Sequence, residues 1–210
     1  MTLDVTTLID LAVERNTAPS AYLTQWHEFA EWQMNALISH GLRPHHYLLD
    51  IGCGALRLGS LAIPYLAPAH YCGIDPDSRL LELGRAVLRH LAIDRPHALL
   101  HSGEFEFDRF GTSFDYAMAQ SVFTYLSQAQ IEQCVLRLKT VMQPGGKFIF
   151  TYWLNENPPR ISFLADGIVP TYLPGLRDDK IFGALAERLD LDFARLPSDH
   201  PSQLAGLLTF

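Results

Sequence analysis

The stretch Leu48-Leu49-Asp50-Ile51-Gly52-Cys53-Gly54-Ala55-Leu56-Arg57-Leu58-Gly59 limits the fold more than any other part of the 210-residue chain. A short apolar run ends in an acid and then a glycine-rich turn, as where a buried parallel strand passes into the loop before a helix. Gly52 and Gly54 permit a tight turn and let the backbone come close to a ligand. The nature of that ligand is constrained by Asp50. A dinucleotide loop would read G-x-G-x-x-G, but Arg57 stands at the third glycine position and a glycine returns only at Gly59. A carboxylate facing a pyrophosphate would repel it, whereas the same carboxylate attracts an ammonium or a sulfonium.

The pattern around this loop repeats as strand and helix. His70–Asp75, Ala98–Ser102, Phe114–Gln120 and Lys147–Trp153 read as further strands. Leu56–Leu66, Asp77–Leu91 (capped by Asp77) and Ser127–Met142 read as the helices between them, the last ended by Pro144-Gly145-Gly146. Such alternation predicts βαβ units and a parallel sheet covered on both faces, with ligands at the carboxyl rim of the strands. Before it, Val5, Leu8, Ile9 and Ala12 have the spacing of an amphipathic helix. A break at Thr17-Ala18-Pro19-Ser20 precedes a second, aromatic helix with Tyr22, Trp26, Phe29 and Trp32, capped by Ser20 and stopped by Gly41 and Pro44. Residues 154–177 hold Pro158, Pro159, Pro170 and Pro174 without periodicity, which predicts either a functional lid or a disordered segment. Asp178–Leu189 reads as a helix, and the closing runs Phe193–Pro197 and Leu204–Phe210 as a hairpin.

Asp75 ends the second strand, where a carboxylate accepts both hydroxyls of a ribose in nucleoside sites. Asp50 and Asp75 together suit a ligand with a cationic amino-acid end and a ribose, a description met by S-adenosylmethionine. Here the chain resembles the class I S-adenosylmethionine-dependent methyltransferases. Asp50-Ile51-Gly52-Cys53-Gly54 is similar to their first motif and Gly73-Ile74-Asp75-Pro76-Asp77 to their second. Phe114–Leu126 resembles the segment around their fourth strand, and Leu138–Phe150 their following helix end, turn and fifth strand. The match spans roughly residues 46–152, and Gly52–Gly59 is similar to a branch of bacterial small-molecule enzymes.

The resemblance implies a Rossmann-like α/β fold: seven mostly parallel strands, the last antiparallel, helices on both faces and an N-terminal helical cap. It implies one domain over 1–210, with a cap at 1–44, a cofactor-binding core at 45–153, a lid at 154–177 and a closing helix and hairpin at 178–210. Asp50, Gly52 and Gly54 would surround the methionine part, Arg57 would meet its carboxylate, and Asp75 would hold the ribose. Pro76, Glu104 and Phe105 would flank the adenine, and Gln120 and Ser121 would lie on the rim near the methyl group. Tyr125 and His200 are the catalytic candidates, with Glu104 and His27 as further bases. Tyr22, Trp26 and Trp153 are candidate acceptor contacts, and Gln33 is a candidate for touching ligand.

Charge and composition set the partners. Lys and Arg number 16 against 23 Asp and Glu, a net charge of −7 without an evident basic stripe, so a small-molecule acceptor is expected rather than a nucleic acid. The Asn/Asp-Pro-Pro-Tyr pattern of relatives that methylate amides and DNA amines is not present after the fourth strand. Three cysteines without paired spacing suggest neither a disulfide framework nor a metal site. The expected protein acts in the cytoplasm, without a membrane partner, as a monomer or homodimer. The nucleophile (O, N, S or C) is left open. The rival readings are a nicotinamide-dependent reductase on the same sheet and a non-catalytic subunit that binds an adenosyl cofactor.

Overall fold

A computed structural model describes residues 4–13, 25–153, 179–197 and 200–210. Seven strands form one sheet in the order β3-β2-β1-β4-β5-β7-β6. They are β1 Leu48–Ile51, β2 Tyr71–Asp75, β3 Ala98–His101, β4 Phe114–Ala119, β5 Met142–Tyr152, β6 Asp192–Arg195 and β7 Leu204–Thr209. The described helices are α1 Val5–Val13, α2 Trp26–Ser39, α3 Gly59–Tyr65, α4 Ser78–His90, α5 Gln128–Lys139 and α6 Asp179–Leu189. The chain divides into two compact units, Met1–Glu104 and Phe105–Phe210.

In the first unit, β1, β2 and β3 pair in parallel. β1 and β2 are buried throughout, as unbroken apolar runs in a covered parallel sheet must be. Helix α4 begins where expected, because Asp77 Oδ1 accepts the Arg79 backbone N–H at 2.9 Å. Leu8 and Ala12 of α1 and Trp26 of α2 pack with Ala55, Leu83 and Val87. The helix expected from Leu56 starts three residues later, at Gly59. Leu56 itself has φ +63°, a left-handed residue that completes a turn and delays the helix.

In the second unit, β4 and β5 are parallel, while β7 is antiparallel to both β5 and β6. The Pro144-Gly145-Gly146 turn does not sit between α5 and β5 as expected. The strand starts before it, at Met142, and absorbs it as an irregularity: Phe114 pairs with Met142 and Tyr116 with Lys147. Helix α5 is fixed by a capping box between Ser127 and Gln130, a signal carried by the local sequence Ser-x-x-Gln. Aromatic rings fill this core: Phe150 lies 5.0 Å from Phe123 and 4.7 Å from Phe182, centroid to centroid. The Ser20 cap, the Thr17–Ser20 break, Tyr22 and the loop expected over 154–177 lie outside the described residues.

Candidate active site

The first unit gathers its polar chemistry at the carboxyl ends of β1 and β2. The chain leaving β1 turns onto its neighbour, since the N–H groups of Gly52 and Cys53 both donate to Ile74 O, at 2.8 and 3.1 Å. Gly52 and Gly54 have φ +66° and +53°, the left-handed region this turn requires. The turn brings the Gly54 N–H to Asp75 Oδ2 at 2.8 Å, while Oδ1 accepts the Asp77 N–H at 2.8 Å. Both carboxylate oxygens retain lone pairs for further donors.

Asp50 lies deeper, 2% exposed, and its Oδ2 accepts a 2.6 Å hydrogen bond from the Tyr71 hydroxyl. Gly59 makes room for that pair, because a Cβ there would stand 3.0 Å from the Tyr71 hydroxyl oxygen. Burial pushes the Asp50 carboxyl up to about 7, against the Tyr71 hydrogen bond, with the Asp75 charge raising it and Arg57 lowering it. Burial likewise raises Asp75 to about 6, opposed by its two backbone hydrogen bonds. Two adjacent carboxyls that resist ionisation when buried are suited to a ligand that brings positive charge and hydroxyl donors. Arg57 is also buried, its guanidinium carbon 4.9 Å from the Phe29 ring centroid on α2.

The other positions expected near an adenosyl group in this unit converge on the β2 and β3 ends. His101 Nε2 lies 2.9 Å from Pro76 O, and the Ser102 N–H donates to Asp75 O at 3.2 Å. A Cβ at Gly103 would touch Pro76 at 3.5 Å, so these two loop ends lie against each other. Glu104 is exposed and its N–H donates to Ser102 Oγ. Trp26, expected against the acceptor, is placed instead in the apolar core with Leu8 and Leu83, because α2 buries this face on α1 and α4. His27, the next residue of α2, is exposed.

In the second unit Phe105 has φ +54° and its ring lies 6.0 Å from that of Phe107. Gln120, Ser121, His200 and Gln203 form a neutral polar network beyond β4 and before β7. The Ser121 N–H donates to Thr151 Oγ1 of β5 at 2.7 Å, holding Ser121 at φ +60°. Gln203 Nε2 donates to Ser121 Oγ at 2.7 Å. His200 Nδ1 accepts backbone N–H bonds from Ser202 at 3.1 Å and Gln203 at 2.9 Å. A neutral ring so held carries its proton on Nε2. Gln120 Nε2 donates to Ser121 Oγ at 2.6 Å and stands 3.4 Å from His200 Nε2. His200, expected from its place in the closing hairpin as a catalytic base, has its Nδ1 occupied by these two backbone N–H groups. Tyr125 is 39% exposed, and Trp153 is half-buried just past β5.

Tyr71, Thr151 and Gln203 carry parts of this chemistry that the sequence reading missed. Tyr71 lies 21 residues from Asp50, and only the parallel β1–β2 pairing joins them. No local motif signals such a pair.

A methyltransferase-domain family model matches residues 49–148. Among solved structures, the chain is similar to magnesium protoporphyrin IX methyltransferase from Synechocystis PCC 6803 with bound SAH. That match has a TM-score of 0.68 and 10% identity over 97% of this chain and 94% of the other. It is also similar to a putative O-methyltransferase from Nostoc punctiforme PCC 73102, with a TM-score of 0.64 and 18% identity over 98% and 68% of the two chains. An S-adenosylmethionine-dependent methyltransferase from Clostridium acetobutylicum ATCC 824 matches with a TM-score of 0.63 and 12% identity, over 98% and 97%. The sheet order is that of the class I, Rossmann-like methyltransferase fold. Residues 49–148 match a methyltransferase domain. Among the described residues no helix is long and apolar enough to cross a membrane.

Proposed function

We propose that this enzyme transfers the methyl group of S-adenosylmethionine to a small-molecule acceptor. The observation that carries the reading is the pair of buried carboxyls, Asp50 and Asp75, on either side of the Gly52–Gly54 turn. Asp50 holds the ammonium of the amino-acid end, Arg57 its carboxylate and Asp75 the ribose hydroxyls. Pro76, Glu104 and Phe105 flank the adenine, and Gln120 and Ser121 stand on the acceptor side. When bound, S-adenosylmethionine supplies an activated methyl group for in-line displacement, and its thioether leaves without an acid. The protein's own work is alignment and exclusion of water. His200 stands beside Gln120 on that side, Tyr125 is a catalytic candidate there, and Trp153 is a candidate acceptor contact. The chain works as a single domain, with residues 1–44 as its cap and 178–210 as its closing elements.

The net charge of −7 supports a metabolite acceptor, since nucleic-acid binding rests on neutralising phosphates. The magnesium protoporphyrin and O-methyltransferase relatives are in keeping with it. Three free, buried cysteines suit a cytoplasmic enzyme acting as a monomer or homodimer. The test offers methyl-labelled cofactor with a cell-extract metabolite pool, tRNA and duplex DNA in parallel. Label is expected in the small-molecule fraction. Label confined to nucleic acid, falling steeply with salt, would overturn the small-molecule assignment.

A further inference from the structure

Helix α2 carries one side chain that its packing does not explain. Trp26, Phe29, Ala30, Gln33 and Leu37 follow the spacing of one buried helix face, and Gln33 is its one polar member. Gln33 is 4% exposed, and its Oε1 is buried without a hydrogen-bond partner among the described residues. Leaving an amide oxygen buried and unmet is costly, so its retention on a face of rings and aliphatic groups calls for a donor from elsewhere.

The surroundings indicate which donor. Phe29, one turn before Gln33 on the same face, lies against the Arg57 guanidinium. Arg57 is near enough to Asp50 to lower its proton affinity. Gln33 therefore stands on the helix face turned toward the end of the site that pairs a buried cation with a buried carboxyl. An amino-acid group lying there presents its carboxylate to Arg57 and its ammonium to Asp50. That ammonium has three N–H donors, and the Tyr71 hydroxyl already occupies Asp50 Oδ2. We infer that Gln33 Oε1 accepts one of these N–H bonds, making α2 part of the binding site for the amino-acid end of S-adenosylmethionine. This rests on the proposed function and adds a residue to it. The N-terminal cap is then a direct reader of the cofactor.

The test compares two ligands by calorimetry: S-adenosylhomocysteine, and 5′-methylthioadenosine, which lacks the amino-acid end. Gln33→Leu is expected to weaken S-adenosylhomocysteine about tenfold, as for loss of a hydrogen bond to a charged group, while methylthioadenosine stays within about twofold. Gln33→Glu, which keeps an acceptor at the same reach, is expected to restore S-adenosylhomocysteine binding. Equal losses for both ligands would make Gln33 a packing residue and overturn the inference. Unchanged S-adenosylhomocysteine binding would likewise overturn it. If the unaltered protein bound neither ligand, the proposed function would fail first, and visibly so.

Discussion

In the first unit two acids, Asp50 and Asp75, are buried among backbone N–H groups and one phenol. In the second, the neutral side chains Gln120, His200 and Gln203 are buried, with half-buried Ser121 bonded to both glutamines. The second arrangement is tied within the protein, by bonds that run from Gln120 and Gln203 to Ser121, from Ser121 to Thr151 and from the Gln203 backbone to His200. The first is open, since burial without a cation drives the carboxyls toward their neutral forms. The difference separates two jobs that both read as polar residues at strand ends. One region is built to be completed by a charged ligand, and the other to hold its own shape.

The largest test of that contrast is Asp75→Ala. It removes the acceptor of the Gly54 and Asp77 N–H groups as well as the proposed ribose contact. S-adenosylhomocysteine binding should weaken by roughly 1–3 kcal/mol, with a modest fall in Tm. A collapsed Tm with unchanged affinity would show Asp75 to be a structural cap only.

A smaller effect is expected from pH. Because Asp50 is raised to about 7 and Asp75 to about 6, their contribution to the stability of the ligand-free protein is full below about pH 4 and lost as pH rises through 6 to 7. The cationic ligand prefers the ionised acids, so affinity should move the other way and tighten by about tenfold between pH 5.5 and 7.5. Asp50→Asn should flatten both trends, measured by Tm with and without S-adenosylhomocysteine across that range. A variant that keeps the full slope would place the titration elsewhere.

The smallest effect belongs to the second region. Gln203→Leu removes the bond to Ser121 Oγ and should cost about 1 kcal/mol of stability, read from denaturant unfolding. S-adenosylhomocysteine affinity should not change. A marked loss of affinity would mean that the neutral network also meets the cofactor.

The two regions were unequally legible in the sequence. β2 ends in an acid and β1 carries one next to its last residue, each after an apolar run, so both strands and the two carboxyls could be placed from adjacent residues. The start of β5 could not, because Pro144-Gly145-Gly146 is a helix-stop signal locally, and only pairing with β4 shows that it is carried within a strand. The sequence shows Gly59 only as the glycine that returns after Arg57, whereas it leaves space for Tyr71, a residue on another strand. The His200 tautomer depends on the N–H groups of the next residues in a turn, whose geometry no side-chain pattern records. What was missed in each case is set by pairing or by backbone direction rather than by residue type.

The Leu56 turn also bears on the kinetics of binding. A Cβ added to Gly84 of α4 would lie 2.6 Å from Leu56 Cγ, so the left-handed Leu56 is seated directly on that helix. Together with the Gly54–Asp75 hydrogen bond, this fixes the glycine loop from two sides through contacts that the protein makes by itself. A loop already ordered has little conformational entropy left to lose, so less of the contact energy is spent on ordering it and more appears as affinity. Nor does encounter with the adenosyl ligand have to wait for this loop to form, which leaves the association rate to diffusion and to the opening of the site.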